Sequence, residues 1–176
     1  MILKNYYKIL RCALTGTTCD IVRTDGTEQS FTPASTKFYA YTFGIGQNSS
    51  DSPSDITNYK NLASTGVKFG DGNSHATMDD YCLSGNLLTN LDITANTTRT
   101  VEDGGVTVQH VYTITNKNTE DITIREVGMV AGIPYGTSIS KHMALIERTV
   151  LDSPVTIPAG GVGQVTYTIR FNYPTT

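Results

Sequence analysis

"GQVTYTIRFNY", residues 163–173, alternates without a break. Val165, Tyr167, Ile169, Phe171 and Tyr173 fall on one side, and Thr166, Thr168, Arg170 and Asn172 on the other. A period of two is the signature of a strand, and apolar character on one side only marks a strand with one wet face, as antiparallel sheets allow. The same rhythm runs through "GVTVQHVYTIT" (105–115), where Val106, Val108, His110, Tyr112 and Ile114 share a side. "TKFYAYTFGI" (36–45) reads as a third strand, rich in aromatics. "DITIREVGMVAGI" (121–133) opens with Ile122 and Ile124 in phase and then moves to Val127 and Met129, which predicts a bulge near Arg125 and Glu126.

Turn chemistry separates these runs. "NKNTED" (116–121) is expected to close a hairpin, because Asn and Asp tolerate turn dihedrals and bond their own backbone. "SPVTIPAGGVGQ" (153–164) sets Pro158 and the Gly160, Gly161 pair between two more strands. Short strands at this spacing, with no helices recurring between them, define an all-β chain: an antiparallel β-sandwich, Ig-like or jelly-roll-like, with a barrel as the other closed solution. A chain of 176 residues fits one domain, 1–176, and buries roughly 70% of its unfolded surface.

One helix precedes the strands. Leu3, Tyr6, Tyr7, Leu10 and Leu14 recur at three- and four-residue intervals, which predicts an amphipathic helix over residues 1–14 with Lys4, Lys8 and Arg11 off the stripe. A helix this short needs something to lie on, either its own sheet or a neighbouring subunit. Residues 46–64, "GQNSSDSPSDITNYKNLAS", read as a long polar loop with one helical turn capped by Ser52 or Ser54. "FGIGQ" from Phe43 and "FGDGN" from Phe69 echo each other as glycine turns that end a strand.

Composition excludes several classes of function. The 16 acidic and 13 basic residues are scattered, with no basic cluster of the kind that nucleic acid requires. Only 16% of the residues are charged, against about 25% in ordinary soluble domains, and such a surface suits a protein covered by its neighbours or a plain hydroxyl-rich β-protein. No run approaches 18 apolar residues, so no membrane span is expected. Lys4, Asn5, Lys8 and Arg11 interrupt any apolar leader, so no signal peptide is expected, and the sequons at Asn48 and Asn96 matter only in a secreted chain. Cys12, Cys19 and Cys82 show neither metal nor disulfide-framework spacing and read as buried free thiols.

The stretch richest in chemical groups is "FGDGNSHATMDDYCLSG" (69–85). As an EF-hand loop from Asp71 it fails, with Ala76 at the sixth position and Cys82 at the twelfth. A looser calcium site would use Asp71, Asn73 and Asp79, but a glycine turn followed by Asp capping is the preferred reading, and no cofactor or metal is expected. Neither glycine turn completes G-x-G-x-x-G, since Ser49 and His75 stand at the third glycine position. His75, His110 and His142 lack metal-ligand spacing, and His110 reads as a core residue. Ser84, His75 and Asp79 have no nucleophile elbow, and the choice of carboxylates for hydrolysis would fall on Asp79, Asp80 and Glu147. Tyr39, Tyr41, Tyr59 and Tyr81 could make a sugar platform, though alternating Tyr is ordinary sheet packing. No catalytic residue is assigned.

The order of motifs from 69 to 171 resembles a group of small structural proteins among the virion genes of tailed bacteriophages. The resemblance rests on Gly70, Gly72, Asp80, Tyr81 and Leu83, then on Ile122, Ile124, Glu126 and Gly128. It continues through Arg148, Pro154, Val155, Ile157 and Gly160. It implies a β-sandwich subunit of the capsid, neck or tail, made in the host cytoplasm and carried in the virion. Its partners would be other virion proteins and copies of itself, with no nucleic acid, membrane or small-molecule substrate. The stripe Leu3, Tyr6, Tyr7, Leu10, Leu14 and the loop 46–64 are the expected contact surfaces. A receptor- or carbohydrate-binding module of a tail fibre and a cell-wall hydrolase are the rival expectations.

Overall fold

Strands dominate the chain, as the two-residue rhythm requires. The computed structural model describes residues 1–15, 17–31, 66–102, 104–134 and 141–172. The expected strand at 36–45 and the polar loop at 46–64 lie outside the described residues. One helix, α1 (Lys4–Thr15), is followed by β1 (Cys19–Val22), β2 (Glu28–Phe31), β3 (Gly66–Gly70) and β4 (Leu91–Glu102). Then come β5 (Gly105–Asn116), β6 (Ile122–Pro134), β7 (Lys141–Ile157) and β8 (Val162–Asn172). They form three antiparallel sheets with strand orders β1-β2, β3-β6-β7 and β4-β5-β8. Where the sequence reads as one domain over 1–176, the chain forms two compact units: Met1–Leu88 with Ile124–Pro154, and Thr89–Thr123 with Val155–Thr176.

In the first unit the helix begins later than its stripe predicts. Met1 to Leu3 run extended beside β7: Leu3 N–H donates to the Ile146 carbonyl at 2.9 Å and Arg148 N–H to the Met1 carbonyl at 3.0 Å. The Met1 α-amino group donates to Glu147 Oε1 at 2.7 Å. Leu3 is fully buried with Leu83, Val130 and Leu145. The buried stripe of α1 is Asn5, Ile9 and Cys12, one position away from the expected one. Asn5 explains the offset, because its side chain acts as a ladder partner for β1. Nδ2 donates to the Val22 carbonyl at 2.7 Å, and Oδ1 accepts from Val22 N–H at 3.0 Å. A polar residue thus sits on the inner face because the edge of β1 needs its bonds. The helix ends where the Thr15 hydroxyl bonds back to the Arg11 carbonyl.

Cys12 and Cys19 form a disulfide, with their Cα atoms 6.0 Å apart, and Cys82 lies outside it. This corrects the reading of three free cysteines. The tight return from the end of α1 into β1 brings residues seven apart into bonding range. Asp25 and Gly26 then turn β1 into β2: Asp25 Oδ1 accepts from Thr27 N–H at 2.9 Å, and Gly26 takes φ 83°.

β6 needs no bulge. Gly66–Gly70 pairs with Glu126–Val130 in unbroken register, and Glu126, fully buried, stays in phase with buried Ile124. Beyond it both sides of the strand are buried, so the alternation disappears.

The second unit carries the clearest sequence rhythm. β5 lies between β4 and β8, and the cross-strand rows separate by polarity. Ala95, Tyr112 and Val165 share a row, as do Thr97, His110 and Tyr167, whereas Thr98, Gln109 and Thr168 form a row on the other face. "NKNTED" therefore closes no β5–β6 hairpin, since those strands belong to different sheets. The reason is Asn116, buried at the end of β5. Its Nδ2 donates to the carbonyls of Glu120, Ile157 and Pro158, and its Oδ1 accepts from Asn118 N–H. The hairpin that does form joins β4 to β5, with Glu102 opposite Gly105.

His110 is 2% exposed, with Nδ1 2.8 Å from Thr97 Oγ1. Its Nε2 is buried without a hydrogen-bond partner among the described residues. Burial holds its pKa below the ordinary 6.5, since an imidazolium there loses its hydration.

Two predictions follow from these contacts. Cys12→Ser with Cys19→Ser lowers stability by about 2 to 3 kcal/mol, the closure entropy of so short a loop, read as a shift in denaturant midpoint that reductant reproduces in the native chain. As pH falls below 6.5 the unfolded chain takes up the His110 proton before the folded chain does, so stability declines on the acid side. Denaturation at pH 7.5 and 5.5 should show His110→Phe losing less over this interval than the native protein.

Candidate functional site

The glycine loop that follows β3 wraps around one buried carboxylate. Glu126 on β6 is fully buried and accepts five hydrogen bonds. Its Oε1 takes Gly72 N–H at 3.2 Å and Gly85 N–H at 2.8 Å. Its Oε2 takes Ser84 N–H at 3.1 Å, the Ser84 hydroxyl at 3.2 Å and Arg148 Nε at 2.7 Å. Arg148 on β7, 1% exposed, also donates from Nη1 to Asp80 and from Nη2 to the Ser74 carbonyl at 2.7 Å. Asp80 in turn accepts from Thr77 N–H at 3.0 Å and from the Thr77 hydroxyl at 2.8 Å.

These bonds answer the cost of burying two charges, which is several kcal/mol per ion before compensation. Burial raises the pKa of Asp80 and lowers that of Arg148. The Thr77 bonds and the Arg148 charge more than offset it for Asp80, so its carboxyl stays below the usual range. The bonds and charges of Glu126 and Asp80 hold Arg148 above its ordinary value. Both remain ionised across the working pH range.

The glycines are there for sterics. A Cβ on Gly72 would lie 2.1 Å from Ser84 Oγ and 2.2 Å from the Gly85 nitrogen. The two ends of the loop cross so closely that neither backbone has room for a side chain. Asp71 ties the same crossing, accepting from Asn86 N–H at 2.6 Å and Asn86 Nδ2 at 3.1 Å.

The residues singled out from the sequence are spread among separate contacts. Of the loose calcium set, Asp71 bonds Asn86, Asp79 pairs with Lys4, and Asn73 is exposed. Among the described residues no group of three or more His, Cys, Asp or Glu is placed to hold a metal ion. The three carboxylates considered for hydrolysis go to different partners: Asp79 to Lys4, Asp80 to Arg148 and Glu147 to the Met1 α-amino group. Ser84 gives its hydroxyl to Glu126, and His75 is exposed. Of the helix stripe, Leu3 is core, Tyr6 and Leu10 are half-buried and Tyr7 is 51% exposed. The side chain of Leu14 lies outside the described residues.

A hollow of about 280 Å³ opens beside this arrangement, lined by His75, Asp79, Tyr81, Cys82 and Arg148 among others. Its charged groups Asp79 and Arg148 are already paired with Lys4 and with Glu126 and Asp80. The Glu126–Arg148 pair is what sequence reasoning missed. The signal was a glutamate in phase with Ile122 and Ile124, and an arginine directly after "ALIE".

Comparison with known protein families, with characterised proteins and with solved structures finds no match.

Arg148→Met strands Glu126 without a counter-charge and is expected to cost about 3 to 5 kcal/mol in chemical denaturation. The double variant Glu126→Gln with Arg148→Met loses less than the two single losses combined, because it removes the orphaned charge.

Proposed function

We propose that the chain is a structural subunit of a bacteriophage virion, a β-sandwich part that docks in several copies at the capsid, neck or tail and performs no reaction. One observation carries the reading. The residues of the virion-protein resemblance include Gly72, Asp80, Glu126 and Arg148, and these same residues hold the glycine loop to β6 and β7. Leu83 and Gly128 belong with them, because a Cβ on Gly128 would lie 2.8 Å from Leu83 Cδ2. A motif whose polar atoms are consumed in fastening a loop supports a mechanical role over a chemical one.

The surface of the first unit supplies a docking patch. Tyr7, Met78 and Tyr81 are 51%, 43% and 37% exposed. Lys4 joins them: its backbone N–H donates to the Met78 carbonyl, its ammonium pairs with Asp79, and Tyr7 lies one turn further along α1. Aromatic and Met side chains gathered on a surface are typical of contact sites. The Cys12–Cys19 disulfide fits a part that leaves the reducing cytoplasm of its host inside a released particle.

Light scattering and negative-stain microscopy of the purified protein test the proposal, with a ring or other defined oligomer expected. Tyr7→Ser with Met78→Ser should weaken assembly about a hundredfold, the effect of losing two modest contact residues of about tenfold each, at unchanged melting temperature. A strictly monomeric protein, or turnover of peptidoglycan lost in Glu147→Gln, overturns it.

A further inference from the structure

We propose that β4 is an assembly edge that pairs antiparallel with β4 of a second copy of this chain, an inference that rests on the multi-copy reading above. Among the described residues β4 has β5 as its one partner strand, so its other edge offers alternate backbone N–H and C=O groups along 12 residues. The pairing to β5 runs from Leu91 opposite Asn116 to Glu102 opposite Gly105 without a bulge, and no proline or lysine interrupts it. Bulges, proline and lysine are among the devices by which monomeric proteins blunt an edge, and of the charged kind the strand carries Asp92, Glu102 and, on its inner face, Arg99.

The inner row of β4 is also left open. Tyr112 and His110 on β5 are each 2% exposed, and Val165 on β8 is buried, yet their row neighbours on β4, Ala95 and Thr97, are exposed. Val101, on the same face, is 61% exposed. β8 differs, since Tyr167 and Ile169 on that face are half-buried. On β4 the cover reaches Leu91 and Ile93, which are half-buried, and leaves the same face open from Ala95 to Val101.

The strand is complementary to itself. A two-fold axis through Thr98 keeps each face continuous and sets Ala95 against Val101 of the second copy, Thr97 against Arg99, Asn96 against Thr100 and Thr94 against Glu102. No like charges stand opposite each other. The next in-phase registers are worse: an axis through Thr97 opposes Asp92 to Glu102, and one through Arg99 opposes two arginines. An axis through Asn96 sets Arg99 on Ile93. Pairing along one edge buries less than the roughly 1,000 Å² of a stable dimer, so repetition in an assembly must supply the remaining affinity.

Thiol cross-linking tests this in a Cys82→Ser background, which removes the one cysteine outside the disulfide. Thr98→Cys places two thiols across the axis, and a short bis-maleimide should join them at least tenfold faster than in Thr168→Cys, an exposed control on β8. Equal rates in a protein that still assembles overturn the edge pairing and leave the multi-copy reading standing. Preferential joining of Thr98→Cys to Thr168→Cys chains in a mixture identifies β8 as the occupant and also overturns it. A monomer at every concentration sinks both.

Discussion

The first unit depends on a charge pair taken out of water. Glu126 and Arg148 stand on β6 and β7, fully buried and 1% exposed, and each reaches past its own strand to hold the loop after β3. An unpaired carboxylate at that depth would be intolerable, so the loop's N–H groups and the guanidinium must all be present for the strands to close. The pair is therefore weak as a source of net stability and strong as a specification. Only one path of the loop, pinched at Gly72 and Gly85, brings the required donors to both oxygens.

The strands were legible in sequence wherever one face is wet. β5 and β8 follow the alternation of Val165, Tyr112 and Ile114, because water on the other face left a polar record in Thr166, Thr113 and Gln109. The same logic hides β6, where both faces are covered and a buried glutamate occupies an apolar phase. Pairing was less legible than strand existence. Asn116 spends its amide on carbonyls of the connecting segments, which turns a segment that resembles a hairpin into a link between sheets. The β1–β2 hairpin turns at Asp-Gly, Asp25-Gly26, and the β4–β5 hairpin closes with Glu102 opposite Gly105.

The candidate site was legible as a location and misleading as chemistry. "FGDGNSHATMDDYCLSG" does concentrate glycines, aspartates and a histidine, but spacing alone cannot distinguish ligands that converge on a metal or phosphate from ligands that converge on a residue 54 positions away. Gly72 N–H meets a carboxylate supplied by the protein itself. The helix stripe failed for a related reason: Asn5, a polar residue, occupies the inner face because the backbone of Val22 needs it there.

The crossing at Gly72 and Gly85 divides the loop into a neck and a tip. The neck tolerates no side chain. At the tip, Asn73, Ser74 and His75 are exposed, and among the described residues the one bond from these three to the interior is that of the Ser74 carbonyl. Foreign peptide grafted next to Asn73 would leave the fastening at Glu126 undisturbed, so the tip offers a place where new recognition could be added to the scaffold without rebuilding it.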